Sequence, residues 1–92
     1  MLSMTHHAQA RLQQRAIPHP VLECLLDYGR KIHDHRGGEL VFFDRNARDR
    51  LRRDHGDALF KKLETKLDAY AVIDEDGVVL TVGHRTKRIN RH

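Results

Sequence analysis

The chain has 92 residues with a formal charge of +4, no tryptophan, five other aromatic residues and a single cysteine. A chain of that length buries roughly 60% of its unfolded surface or a little more, enough for one aliphatic core and no second domain, so residues 1–92 are read as a single domain. The lone Cys24 excludes an intramolecular disulfide, no apolar run reaches membrane-span length, and MLSMTHHAQAR lacks a signal-peptide stretch, so a cytoplasmic protein with no membrane partner is expected.

Thr5 has the chemistry of an N-cap for a first helix that runs to about Arg15. Ile17-Pro18 ends it, because the residue before proline avoids helical angles. Pro20 suits the first turn of a second helix, in which Val21, Leu22, Leu25 and Leu26 form one apolar stripe. Gly29 is a natural stop after Tyr28. Residues 30–36, Gly37-Gly38 and residues 40–43 then read as a β-hairpin. The charged segment 44–56 is predicted helical. Leu59, Phe60, Leu63 and Leu67 give an apolar face to a further helical stretch, capped near Asp57 and broken from the preceding one at Gly56. Residues 69–73 are a strand, 74–77 a turn and 78–82 the last strand. These two final strands lack polar alternation and are expected to be buried on both faces. The order predicts an α+β domain, with N-terminal helices packed on a small, mainly antiparallel four-stranded sheet.

Charge is segregated along this chain. Residues 45–53 carry Arg45, Arg48, Arg50, Arg52 and Arg53 against Asp49, and residues 85–92 carry Arg85, Lys87, Arg88 and Arg91 with no acid. These two segments hold +8 of a chain whose formal total is +4, which points to a polyanionic partner. On the first helix, Ala8 and Leu12 can face the core, while His7, Arg11 and Arg15 line a second stripe at four-residue spacing. Three cationic groups in line repel one another, so a carboxylate across the fold or a phosphate is expected opposite them.

The stretch MTHHAQARLQQRAIPHPVLECLLDYG resembles the start of a widespread bacterial family of small domains that open with Ser/Thr-x-His-Ala. In that family an Arg follows at helical spacing, then an Arg-Gly-Ile-like turn, then a helix ending in Gly. HDHRGGELVFFDRNARDRLRRDHG and DAYAVIDEDGVVLTVGHRTKRINR extend the resemblance over nearly the whole chain. The family is similar in fold pattern to the RelE-like and barnase-like metal-independent ribonucleases, many of which are toxins paired with antitoxins. The resemblance implies helices first, then an antiparallel sheet bearing an RNA cleft. It assigns His7 to the family histidine, Arg11 and Arg15 to the helix arginines, and His84 with Arg85 to the basic end of the last strand. The chain departs at Ala16, where the family commonly has Gly; an αR or β conformation would suit alanine there.

Metal-independent RNA cleavage needs a base for the 2′-hydroxyl, an acid for the leaving 5′-oxygen and cations on the phosphorane. His7 and His84 are the candidate proton-transfer groups, and Arg11 and Arg85 the candidate transition-state cations. Arg15, Lys87, Arg88, Arg91, Arg48 and Arg52 are candidate nucleic-acid contacts. His19, His55 and His92 are read as surface. Tyr28 and Tyr70 either stack on bases or pack at element ends. His33 and His35 share one strand face, but two ligands without a third or fourth do not make a metal site. No glycine-rich loop joins a strand to a helix, so a nucleotide site is not expected either, and no cofactor is predicted.

The expected function is that of an RNA-directed protein, a metal-independent endoribonuclease toxin of a toxin–antitoxin type system, with RNA and an antitoxin as partners. One alternative is a non-catalytic nucleic-acid-binding module in which the two basic segments grip phosphates and nothing is cut. Another is a protein-interaction or regulatory domain with an acidic protein partner. The basic end itself reads either as the rim of a sheet cleft or as a solubilising tail.

Overall fold

The first helix forms where Thr5 supplies its cap: the Thr5 hydroxyl accepts from the Ala8 amide at 3.1 Å and donates to the Leu80 carbonyl at 3.1 Å. In the computed structural model, which describes residues 3–33 and 37–85, this helix is α1 (His6–Gln14), followed by α2 (His19–Tyr28), β1 (Arg30–His33), β2 (Glu39–Phe42), α3 (Arg45–Leu63), β3 (Ala69–Ile73) and β4 (Val79–His84). A single 3₁₀ turn, Glu64–Lys66, joins α3 to β3. The four strands make one antiparallel sheet in the order β1-β2-β3-β4. The protein is therefore α+β, with its first two helices ahead of the sheet.

Capping chemistry explains where the helices stop. After α1 the Ile17 amide reaches back to the Leu12 carbonyl at 2.9 Å and the Ala16 amide to Gln13 at 3.2 Å. That pair of bonds is a Schellman closure, and it puts Ala16 at φ +50°. The closure requires a left-handed residue there, so Ala16 does not take the αR or β conformation that would suit alanine. Leu12 and Ile17, the apolar partners of the motif, are both buried. α2 starts after Pro18 and ends against Gly29, where a Cβ would lie 2.4 Å from the Leu25 carbonyl oxygen and 2.6 Å from Val41 Cγ1. Only glycine lets the end of α2 sit this close to β2. α3 is capped by Asp44, whose carboxylate accepts from the Ala47 amide at 2.8 Å, and it is broken at Gly56, at φ 86°, ψ 167°.

The core lies between the helices and one face of the sheet. Ala8, Leu12, Val21, Leu22, Leu25 and Leu51 meet Val41, Phe43, Ala69, Ala71, Ile73 and Val82 there. Along β3 the residues Ala69, Ala71 and Ile73 are buried, whereas Tyr70 and Val72 on the opposite face are only partly so. The expectation that the last two strands are buried on both faces is thus corrected. The helical core packs against a single face, and the apolar Tyr70, Val72 and Leu80 sit outside it. Leu80 is 37% exposed, beside a register shift between Val72 and Ile73.

The edge of β4 is closed by the start of the chain. The Thr5 amide bonds to the Val79 carbonyl at 3.0 Å and the Val79 amide to Ser3 at 2.9 Å, a short parallel step that blunts the edge. α1 then runs alongside β4, from Leu80 at its capped end to His84 at its last turn. Among the described residues no helix is long and apolar enough to cross a membrane.

Candidate nucleic-acid interface

Because α1 lies along β4, its basic stripe comes to the end of that strand. Arg11 and Arg15 line a cleft of about 210 Å³ together with Tyr70, Val82, Gly83 and His84. No carboxylate is among the lining residues. Among the described residues neither arginine forms an ion pair, so the carboxylate that their alignment called for is not opposite them. What remains is a concave surface with two guanidinium groups, a phenol and an imidazole.

Two local features shape its floor. Gly83 lies directly opposite Tyr70 in the β3–β4 ladder. A Cβ at position 83 would fall 2.9 Å from Tyr70 Cε1 and 3.0 Å from its hydroxyl oxygen. The Tyr70 ring therefore lies down over the Gly83 backbone, and its hydroxyl is carried to the α1 side. His84 is held at both ring nitrogens. Nδ1 is 2.7 Å from Asp68 Oδ1, and Nε2 is 2.8 Å from the Arg15 carbonyl oxygen. A carbonyl oxygen only accepts, so Nε2 carries a proton; an ionised carboxylate also only accepts, so both contacts are hydrogen bonds only in the doubly protonated ring. His84 thus ties the last turn of α1 to the start of β3 and fixes where Arg15 stands.

His7 is placed differently. It is exposed on the same helical stripe but does not line the cleft. The helical rise puts its backbone about 12 Å from that of Arg15, towards the opposite end of β4 from His84. The structure brings Arg11, Arg15 and His84 together and leaves His7 apart. Arg85 points elsewhere as well: its guanidinium donates to the Phe43 carbonyl at 3.1 Å and lies 5.3 Å from the centre of the Phe42 ring, while its amide bonds to the Asp68 carbonyl at 2.8 Å.

Two of the five arginines of α3, Arg48 and Arg52, are occupied with the fold, while Arg45, Arg50 and Arg53 are exposed. Arg48 donates to the Leu67 carbonyl at 3.1 Å, and Arg52 pairs with Asp57 at 2.6 Å and lies over Phe60. Lys87, Arg88 and Arg91, like His35, lie outside the described residues. Tyr28 donates to Asp54 at 2.8 Å, with His55 Nε2 at 3.1 Å; the bond to Asp54 pushes its phenol above the usual range and keeps it protonated.

Sequence reasoning left Tyr70 between two roles and did not single out Asp68 or Gly83. A glycine inside an apolar strand is the signal that marked position 83, since such a residue announces a close approach. The chain matches no family model, no curated protein and no solved structure.

Proposed function

We propose that the protein is RNA-directed and acts as a metal-independent endoribonuclease of the toxin type, with an RNA phosphodiester seated in the cleft between α1 and β4. The observation that supports this most is the pair of arginines, Arg11 and Arg15, facing a concave surface with no ion-pair partner among the described residues. Guanidinium groups bind two oxygens of a phosphate at once and stay charged at any physiological pH. In this reading they clamp the phosphodiester and hold the charge of the phosphorane. The Tyr70 hydroxyl and the His84 ring are the proton-carrying groups beside it. His84 adds positive charge while both its bonds are made, and serves as a proton donor when the Arg15 carbonyl is released. An antitoxin would then be an acidic segment that covers the same arginines.

A non-catalytic RNA-binding module is the second reading, and one observation favours it. Both ring nitrogens of His84 are already engaged, so the imidazole offers the cleft no free nitrogen. Inducible expression in a bacterial host separates the two, comparing wild type with Arg11→Gln/Arg15→Gln while growth and total RNA integrity are followed together. The expected result is growth arrest with RNA fragmentation in the wild type and neither in the double variant. Intact RNA and normal growth with abundant folded wild-type protein would remove the enzyme and leave the binding module.

A further inference from the structure

Gly29 ends α2 where no Cβ fits, and the next residue, Arg30, opens β1 beside the first turns of α3. A second cleft, of about 230 Å³, lies there. It is lined by Tyr28, Arg30, Asp44, Asn46 and Arg50 among others. It shares no residue with the Arg11–Arg15 cleft, and β1 and β4 are opposite edges of the sheet.

Two cations and one carboxylate line this second cleft. Arg50 is exposed, and its guanidinium stands 5.7 Å from the centre of the Tyr28 ring. That contact orients the guanidinium through the ring's π face and leaves its N–H donors free. Among the described residues Arg50 forms no ion pair. The ring is fixed in turn, because the Tyr28 hydroxyl donates to Asp54 at 2.8 Å. The Arg30 side chain is 47% exposed and lies 3.7 Å from Asp44 Oδ2, beyond hydrogen-bond length. Asp44 turns its other oxygen to the Ala47 amide, where it caps α3. The cleft therefore holds two guanidinium groups, neither of them hydrogen-bonded to the one carboxylate beside them.

We infer that this cleft is a seat for a phosphomonoester dianion, gripped by Arg30 and Arg50, with the Asn46 side chain at its edge. Guanidinium groups from two different elements, β1 and α3, each present a fork of N–H donors to one tetrahedral oxyanion. A phosphomonoester carries close to two negative charges at neutral pH, so it matches both cations and outweighs the single charge of Asp44. A carboxylate or a phosphodiester brings one charge and gains little over Asp44 itself. Free phosphate, a mononucleotide and the phosphorylated 5′ end of an RNA all offer this group. The seat does not depend on the RNA-directed reading, because none of its residues belongs to the Arg11–Arg15 cleft.

The test is nuclear magnetic resonance of the isotope-labelled full chain, following the backbone amide and side-chain Nε–H signals of Arg30 and Arg50. The titrants, at constant ionic strength, are inorganic phosphate, uridine 5′-monophosphate, uridine, acetate, and tetrauridylate with either a 5′-phosphate or a 5′-hydroxyl. Saturable shifts at both arginines are expected with inorganic phosphate, uridine 5′-monophosphate and the 5′-phosphorylated tetrauridylate, and none with uridine or acetate. Tighter binding of the phosphorylated tetrauridylate than of inorganic phosphate would assign the seat to an RNA end, and equal binding would assign it to free phosphate; both uphold it. Arg50→Gln should weaken phosphate at Arg30 by roughly tenfold or more, with the remaining amide signals in place to show that the variant is folded. Arg11→Gln/Arg15→Gln should leave the titration at Arg30 and Arg50 unchanged. No saturable shift with phosphate, or the same shift with acetate or with the 5′-hydroxyl tetrauridylate, overturns the seat and leaves the RNA-directed reading standing. Failure of RNA binding at Arg11 and Arg15 with phosphate still seated at Arg30 and Arg50 removes that reading and upholds the seat.

Discussion

Ala16 is the residue that carries the most visible local strain. Its φ of +50° closes the Schellman motif after α1. A left-handed conformation costs an L-residue roughly 1–2 kcal/mol, and the greater freedom of glycine in the unfolded chain returns about 0.4–1 kcal/mol of that. The strain is the larger effect, so Ala16→Gly is expected to stabilise by roughly 0.5–1 kcal/mol, or about 3–6 °C in Tm for a domain of this size. A thermal melt by circular dichroism checks it, and an unchanged or lower midpoint would contradict the strain. His84 shows the opposite limit of sequence reading. Its type and its place at the end of a strand were legible, but its partners were not. Asp68 is 16 positions away and the Arg15 carbonyl 69 positions away. No spacing rule links groups brought together by the docking of α1 along β4, and so the bonds that tie His84 to Asp68 and to Arg15 were not legible.

At the scale of the elements, local punctuation was the reliable signal. Thr5, Pro18, Pro20 and Gly29 mark the ends of α1 and α2, and Asp44 and Gly56 mark the start and the break of α3, because each acts through its own backbone or its nearest neighbours. The burial of β3 and β4 was less legible. A run such as Ala69–Ile73 is apolar at every position, so its sequence does not say which face the helices cover. Tyr70 and Val72 are apolar without being core, and Tyr70 lines the candidate interface. Gly29 is the element-scale test. Alanine there would meet the Leu25 carbonyl and Val41 Cγ1, and relief requires the end of α2 to lift from β2. Gly29→Ala is expected to destabilise by about 1–3 kcal/mol, the usual range for an overpacked site. Urea unfolding measures it, with a lowered midpoint and an unchanged slope as the expected result.

For the whole molecule, the two basic segments seen in the sequence fall into different roles once folded. Arg48 and Arg52 of the first brace α3, and Arg85 of the second braces the sheet. The exposed cationic surface comes from the α1 stripe, from Arg30, and from Arg45, Arg50 and Arg53, the exposed members of the first segment that do not brace α3. Net charge alone pointed to a polyanion, but which cations were left over for it depended on which of them found carbonyls and carboxylates inside the fold.

The most direct measurement of the central claim is the salt dependence of binding to a single-stranded RNA, for wild type and Arg11→Gln/Arg15→Gln. A phosphate contact on a single strand contributes about 0.7 to the slope of log K against log salt concentration. The account predicts a steep negative slope for the wild type and one shallower by about 1.4 for the double variant. Equal slopes for the two proteins would contradict it, since Arg11 and Arg15 would then hold no phosphate.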